Sequence, residues 1–440
     1  MTSDRATGPN AVDDTHGSSR IRAALDSFTD PLDRAATVFA DPTAYADEPR
    51  FFEAASLLRA ESPIHRIEIE GFPPFHVVTR HADVFEIATH ADAFRNEPRA
   101  VLQTVAMEDE ARARGLDLKT LIHIDDPRHK QLRSITVDWF KPRSLTRLED
   151  RVTELARAAV DRMAAADEVV DVATEVAMPF PLHVILSILG LPESDYPRML
   201  TLTQELFGGA DPELSRGRTP EELAEVVVDF FGYFSALVED RRANPTEDLA
   251  SVIANAEIDG EPLDIIELLS YYVIIATAGH DTTSGSVAGG VRALAEHPDQ
   301  LERLRADPDL IPTAVEEIIR WVSPVKHFLR NAVVPHEVGG FGFEPGDCAL
   351  LSYWSANRDD EVFDDPGTFD VGRTPNRHLA FGFGAHYCLG ASLARMELVA
   401  FLTDLVDRVD TLELAGEPAL SESHFVSTLK HLPVRATFHR

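Results

Sequence analysis

Apolar residues recur at three- and four-residue steps from Phe51 to Leu58, Leu145 to Met163, Glu222 to Val238, Asp264 to His297, Thr313 to Trp321 and Leu389 to Leu405. That period marks helices that bury one face, so the spacing predicts a mostly α protein. Strand-like stretches are short and fall in two places, Ile64 to Ile69 with Phe75 to Thr79, and several between Val325 and Ser352. Small β-sheets are therefore expected as a minor partner. The span from Asp264 to His297 follows an Asp259-Gly260 turn, has Pro262 near its first turn with acids at Asp264 and Glu267, and stops at Pro298. Read as one helix at about 1.5 Å per residue, it is about 50 Å long and crosses the whole molecule. The segment from Phe94 to Thr120 has no pattern that fixes its conformation.

No repeat or linker divides the chain, so one domain is expected over residues 21–440, behind a polar leader from Met1 to about Arg20 that reads as disordered. The strongest apolar run, Tyr271 to Gly279, is far shorter than the roughly 20 residues of a bilayer span. A cytoplasmic protein without a membrane anchor is the expectation, and a monomer. With 41 basic against 74 acidic residues the net charge is −33, which argues against nucleic acid and anionic membranes as partners. The two cysteines, Cys348 and Cys388, are too few for a disulfide framework and fit a reducing compartment. Cys348 lies in a strand-like segment and is assigned to packing. Neither a His-Glu-x-x-His nor a Cys-x-x-Cys spacing occurs, so zinc has no support.

Cys388 sits in Phe381-Gly382-Phe383-Gly384-Ala385-His386-Tyr387-Cys388-Leu389-Gly390. Three glycines around one cysteine permit positive φ and let a flat ligand approach the main chain. The amphipathic helix that follows directs its N-terminal amides at the sulfur, and those dipoles favour thiolate over thiol. An isolated cysteine is also, more blandly, a small buried hydrophobe. A dinucleotide loop is excluded, because Tyr387 occupies the position of the third glycine. In the long helix, Ala278-Gly279-His280-Asp281-Thr282-Thr283 interrupts an apolar pattern with small residues and hydroxyls. Thr282 can bond a carbonyl one turn back and open the helix, placing an acid and a hydroxyl at a groove suited to proton delivery. The alternative is a helix that ends at Gly279 and restarts with Asp281 or Thr282 as N-cap.

The cysteine segment resembles the haem-binding signature of cytochromes P-450, Phe-Gly-x-Gly-x-His-x-Cys-x-Gly, at every fixed position, and the helix segment resembles that family's oxygen-activation motif, Ala-Gly-x-(Asp/Glu)-Thr-Thr. The resemblance implies the mostly helical P-450 fold with haem b between the two helices and Cys388 as axial ligand, whose thiolate favours O–O cleavage. It further implies haem contacts from His129, Arg133, Ala278, Gly279, Arg330, Phe381, Gly382, His386 and Gly390, and proton management by Asp281 and Thr282. Glu317 and Arg320, three apart on one helix face, would pair locally; the resemblance makes them, with Arg373, a buried structural triad. It covers roughly residues 45 to 438. Within the family the segments Tyr271 to Asp281 and Pro375 to Leu379 look most like the terpineol-hydroxylating bacterial members.

By family position the substrate side is formed by Arg99 to Thr104, Thr203 to Phe207, Ile274 to Ala278, Val325 to Phe328 and Phe425 to Val426. These segments are mostly apolar and suit a monoterpenoid or small alkyl-aromatic, with a branched lipid or sterol side chain as the alternative. The implied reaction inserts one atom of O2 into a C–H bond, with electrons from NAD(P)H through a ferredoxin reductase and an iron–sulfur ferredoxin. The basic residues Arg128, Lys130, Arg133, Lys141, Arg143 and Arg147 are the expected docking patch for the acidic ferredoxin. A non-catalytic haem sensor has no use for an acid–alcohol pair, and peroxide-driven relatives usually lack one.

Overall fold

Helices form where the apolar spacing places them in the computed structural model, which describes residues 17–439 apart from 116–117, 167 and 217–218. Their bounds are Glu48–Glu61, Glu149–Ala164, Pro220–Ala243, Ile311–Val322 and Ala391–Arg408. Local chemistry sets several of the starts: Thr219 and Glu222 close a reciprocal capping box, and Asp47 accepts from the Arg50 amide. Leu145 belongs to a separate short turn, Pro142–Leu145, ahead of the helix it was expected to open. No helix among the described residues is long and apolar enough to cross a membrane.

The two strand-rich regions, far apart in sequence, join one five-stranded sheet in the order Ile64–Ile67, Phe75–Val78, Cys348–Ser352, His327–Ala332, Phe94–Arg95. Cys348–Ser352 runs parallel to Phe75–Val78 and antiparallel to His327–Ala332, so the C-terminal hairpin is inserted beside the N-terminal one. All five of its residues are buried, and burial pushes the Cys348 thiol up to about 12, the behaviour of a packing residue. A three-stranded sheet from Val170–Asp171, Val409–Leu414 and Pro433–Phe438 has no counterpart in the sequence reading; its strands are short or irregular, and the pairing is long-range.

Four expectations need correction. The Asp264 to His297 span is two helices, Ile265–Ala278 and Asp281–Glu296, broken at Gly279 and His280. Pro262 lies in a two-residue strand of the hairpin turned by Asp259 and Gly260, both at positive φ, and Asp264 caps the helix by accepting from the Ile266 and Glu267 amides. Ser18–Ser27 is helical with Ile21 buried, so the folded part begins before residue 21; residues 1–16 of the leader lie outside the described residues. The Phe94 to Thr120 segment contains the helix Val105–Arg114, capped by Thr104 and ended by Gly115 at φ 63°.

Between Ala356 and Ala391 the described chain has one turn of 3-10 helix and otherwise no regular structure. Glu317, fully buried on Ile311–Val322, holds much of it. Arg320 Nε and Nη2 each donate to its carboxylate at 2.7 Å, Arg373 Nε donates to both oxygens at 3.1 and 3.2 Å, and the Asp370 amide and Asn376 side chain complete the set. The same guanidiniums bind carbonyls of Asn357, Asp364, Pro366 and Thr368. Removing one partner from a dry ion cluster leaves uncompensated charge, at a cost of about 3–5 kcal/mol. Glu317→Gln is therefore expected to destabilise the holoprotein by that amount, read from the shift of its midpoint in a urea titration.

Candidate active site

Gly382 and Gly384 carry the cysteine loop through the left-handed region, at φ 66° and 73°. Only glycine fits the second: a Cβ at Gly384 would lie 2.2 Å from the Ala88 carbonyl oxygen, at the end of the helix His81–Thr89. The loop then doubles back so that the Cys388 amide donates to the Phe381 carbonyl at 2.9 Å. Gly390 differs from expectation. Its φ is −86°, it is the N-cap of a helix that starts at Ala391, and a Cβ there would meet no protein atom within 4 Å, so neither the backbone nor the packing requires glycine at this position.

Burial pushes the Cys388 thiol up, while the Gly390 and Ala391 amides, Arg133 and Arg395 pull the other way. Burial prevails, so the helix dipole alone does not yield a thiolate. A metal cation at the sulfur would supply the missing compensation. Arg395 lies over the Phe381 ring, 4.5 Å from its centroid, and pairs with Glu316, which also accepts from His378. Burial would raise the Glu316 carboxyl, but these bonds win and bring it down to about 2.

His129, Arg133, Arg330 and His386 come together near this loop. The His129 and His386 rings lie 4.2 Å apart, Arg133 donates to the Tyr387 carbonyl at 2.8 Å, and Arg330 is buried, donating to the Leu329 carbonyl. Burial, aided by His386 and Arg133, brings His129 down to about 4; burial also lowers His386, Arg133 and Arg330. The acid nearest His386 is Asp125, at 3.8 Å, and its oxygens already accept from the Asn96 and Glu97 amides. Asp126 Oδ1, 3.5 Å from His129 Nδ1, already accepts from the Lys130 amide, so four cationic or protonatable groups stand against two carboxylates that are both committed elsewhere, and the site is short of anions. Two haem propionates fit that deficit.

The central helices supply the opposite wall. From Leu268 to Gly290 every residue is buried except Ile274, Ala278, Gly279 and Thr282. Ile274, Ala278 and Thr282 are four apart and share one face, so a single accessible stripe passes the helix break. Thr282 Oγ1 donates to the Ala278 carbonyl at 2.8 Å, the back-bond expected from sequence, and it spans the break. The N-cap of the second helix is His280 rather than Asp281 or Thr282, and its side chain caps nothing. Asp281 is buried, with Oδ2 unpartnered.

The segments assigned to substrate also converge. Phe425 packs on Phe328 and Phe207 at 5.3 and 6.1 Å, Val325 bridges Val426, and the Leu102 amide donates to His327 Nε2. The other His327 nitrogen is taken by the His424 carbonyl, and burial brings the ring down to about 4, leaving a satisfied neutral group. A separate groove of about 940 Å³, lined by charged residues including Arg59, Arg80, Arg358 and Asp359, contains none of the residues assigned above.

The basic patch is less free than the sequence suggests. Arg128 forms a bidentate pair with Glu267, Lys141 pairs with Asp138, and Arg147 stacks on Trp139, although Lys130, Lys141, Arg143 and Arg147 are all exposed. Sequence reasoning passed over Arg395, although its position seven residues after Cys388 was a usable signal. Asp125 and Glu316 gave none, since their partners come from distant segments.

The chain matches the family described as Cytochrome P450 over residues 59–432. It is 40% identical over 411 residues to Cytochrome P450-terp of Pseudomonas sp, covering 90% of this chain and 96% of that protein. It is 38% identical to the methyl-branched lipid omega-hydroxylase of Mycobacterium tuberculosis, covering 87% and 90%. The crystal structure of CYP108D1 from Novosphingobium aromaticivorans superposes with a TM-score of 0.85 at 41% identity, over 92% of this chain and 99% of that one.

Because the folded-state value of Glu316 is depressed, its contribution to stability is complete above the ordinary carboxylate value of 4.5 and is lost as pH falls towards about 2. Holoprotein carrying Glu316→Gln should thus lose Tm less steeply than the parent between about pH 5 and 3, measured by thermal scans of the Soret band.

Proposed function

The chain belongs to the cytochrome P450 family of haem-dependent monooxygenases, and from that premise we propose that it hydroxylates a compact apolar molecule, a monoterpenoid or small alkyl-aromatic. The electrons come from NAD(P)H through a ferredoxin reductase and an iron–sulfur ferredoxin. The break between the two central helices, where Thr282 ends an accessible stripe and the buried Asp281 stands next to it, is the observation that carries this reading.

When bound, haem supplies activation of O2 at its iron, with thiolate donation from Cys388 favouring O–O cleavage. The chain's own residues do the rest. The Gly390 and Ala391 amides and two arginines steady the sulfur's charge, and Arg330, Arg133, His129 and His386 take the propionates. Thr282 Oγ1 holds its proton against the Ala278 carbonyl and can re-aim it into the groove, while Asp281 Oδ2, buried without a partner, is the atom placed to hold a proton and pass it on. Phe207, Phe328, Phe425, Val325 and Ile274 offer apolar surface and no free polar group, so the substrate is held by burial at about 25 cal/mol per Å². That favours a small rigid molecule. The relation to a methyl-branched lipid hydroxylase favours, as a second reading, a branched chain entering end-on.

Spectral titration of the ferric protein with terpenoid, alkyl-aromatic, sterol and branched fatty-acid panels separates the two readings. Loss of the iron-bound water with only the lipid arm would overturn the first. Carbon monoxide added to the reduced protein is expected to give the red-shifted Soret band of sulfur-ligated haem, and Cys388→Ser to abolish it. Thr282→Ala and Asp281→Asn should keep consuming NAD(P)H while product falls about 10²-fold and peroxide appears; activity with hydrogen peroxide alone, matching that with redox partners, would point to a peroxygenase instead. Joint neutralisation of Lys130 and Arg143 should raise the KM for ferredoxin several-fold and weaken its salt dependence. The carbon monoxide band should stay unchanged.

A further inference from the structure

His280 is wholly buried at the helix break, yet neither the haem site nor the substrate wall uses it. Its ring ties three segments together. Nε2 lies 2.9 Å from the Met178 carbonyl, Nδ1 lies 3.0 Å from Thr203 Oγ1 on the helix Tyr196–Phe207, and Nδ1 is also 3.5 Å from Asp281 Oδ1. The Met178 carbonyl can only accept, so Nε2 carries hydrogen. Thr203 serves Nδ1 in either sense, because its hydroxyl can donate to the ring or to the Leu200 carbonyl, 3.0 Å away. Asp281 Oδ1 faces the same nitrogen, so one proton shared along Nδ1 and Oδ1 links the ring to the carboxyl whichever of the two carries it.

We propose that His280 is the positioning residue of Asp281: an imidazole anchored to Met178 and Thr203 whose Nδ1 edge faces Oδ1 and leaves Oδ2 as the oxygen available for proton delivery. This rests on the monooxygenase reading of Asp281 and Thr282. Of the two carboxylate oxygens, Oδ2 is the one buried without a partner, as a group awaiting a mobile proton should be. The break itself gives the ring room to leave the helix axis: Gly279 is pressed against Ile185, where a Cβ would stand 3.1 Å from that side chain, and His280 takes φ −96° and ψ −76°. The anchor at Thr203 lies one turn from Phe207, which packs on Phe425, so the carboxylate is referenced to the helix that carries the substrate wall.

The test uses the holoprotein with its redox partners and compares His280→Gln, His280→Phe and Thr203→Val, alone and on Asp281→Asn. A glutamine in place of His280 cannot reach Met178, Thr203 and Asp281 together as the ring does, and a phenylalanine bonds none of them, while neither change touches the cysteine loop or the substrate wall, so both variants should keep the carbon monoxide band and the substrate KM. Their kcat should fall about tenfold, peroxide should rise at the expense of product, and the solvent deuterium isotope effect on turnover should increase. Thr203→Val, which keeps the ring and its volume, should show the same changes in smaller degree and stands in if the larger variants fail to fold. On Asp281→Asn none of the three should add a further loss. His280→Gln that couples electrons to product like the parent, or losses that add in full on Asp281→Asn, would overturn the proposal while leaving the monooxygenase reading intact. Asp281→Asn with parental coupling would instead sink the reading of Asp281 itself.

Discussion

One buried carboxylate organises the cysteine side of this protein. Glu317 binds two guanidiniums, one amide and one side-chain amide, and those guanidiniums in turn collect carbonyls from residues 357–368. A loop of that length has no ladder of its own to satisfy its carbonyls, so the cations stand in for secondary structure. Burying three charges is expensive and is tolerated where the charged groups are densely hydrogen-bonded, as Glu317, Arg320 and Arg373 are here. Asn357 extends the effect: its side chain bonds Ser323 and accepts from the Leu379 amide, which passes the restraint to the residues just before Phe381. The placement of Cys388 thus depends on a helix some seventy residues earlier in the chain.

The opposite wall works by omission. Two consecutive helices that are buried almost throughout meet at one opening, where Gly279 has no side chain and Thr282 takes the Ala278 carbonyl. The result is a stripe three residues long in an apolar surround, with one carboxylate behind it. Rigidity on the cysteine side and a local defect on the helix side are complementary, since a reactive group must be fixed while protons and a diatomic ligand need somewhere to move.

Charge follows the same division of labour. The chain as a whole is strongly acidic, but the interior beside the cysteine loop is a cationic pocket in which burial already presses His129 and Arg330 towards neutrality. Anions supplied by a cofactor bound there would relieve that pressure and so couple cofactor binding to stability. Outside, several basic residues counted from sequence as one patch already have partners, Arg128 with Glu267 and Lys141 with Asp138, which leaves Lys130 and Arg143 as its exposed members not drawn into such a pair.

Read alone, the sequence determined the helical class, the strand-bearing regions, the glycine loop around Cys388 and the acid–alcohol segment, because each is written in residues within one or two turns of each other. It also placed Glu317 beside Arg320, three apart, while Arg373 entered only through family resemblance. It could not decide whether Asp264 to His297 is one helix or two, since a back-bonded threonine and a helix restart leave the same local pattern. Nor could it show that Val170–Asp171 pairs with the last strand, that Arg395 lies over Phe381, that Asp125 faces His386, or that His280 reaches Thr203. Those are choices of partner among groups far apart in the chain. They are made by burial, which forces each polar atom to find whichever donor or acceptor the packed fold brings within about 3 Å.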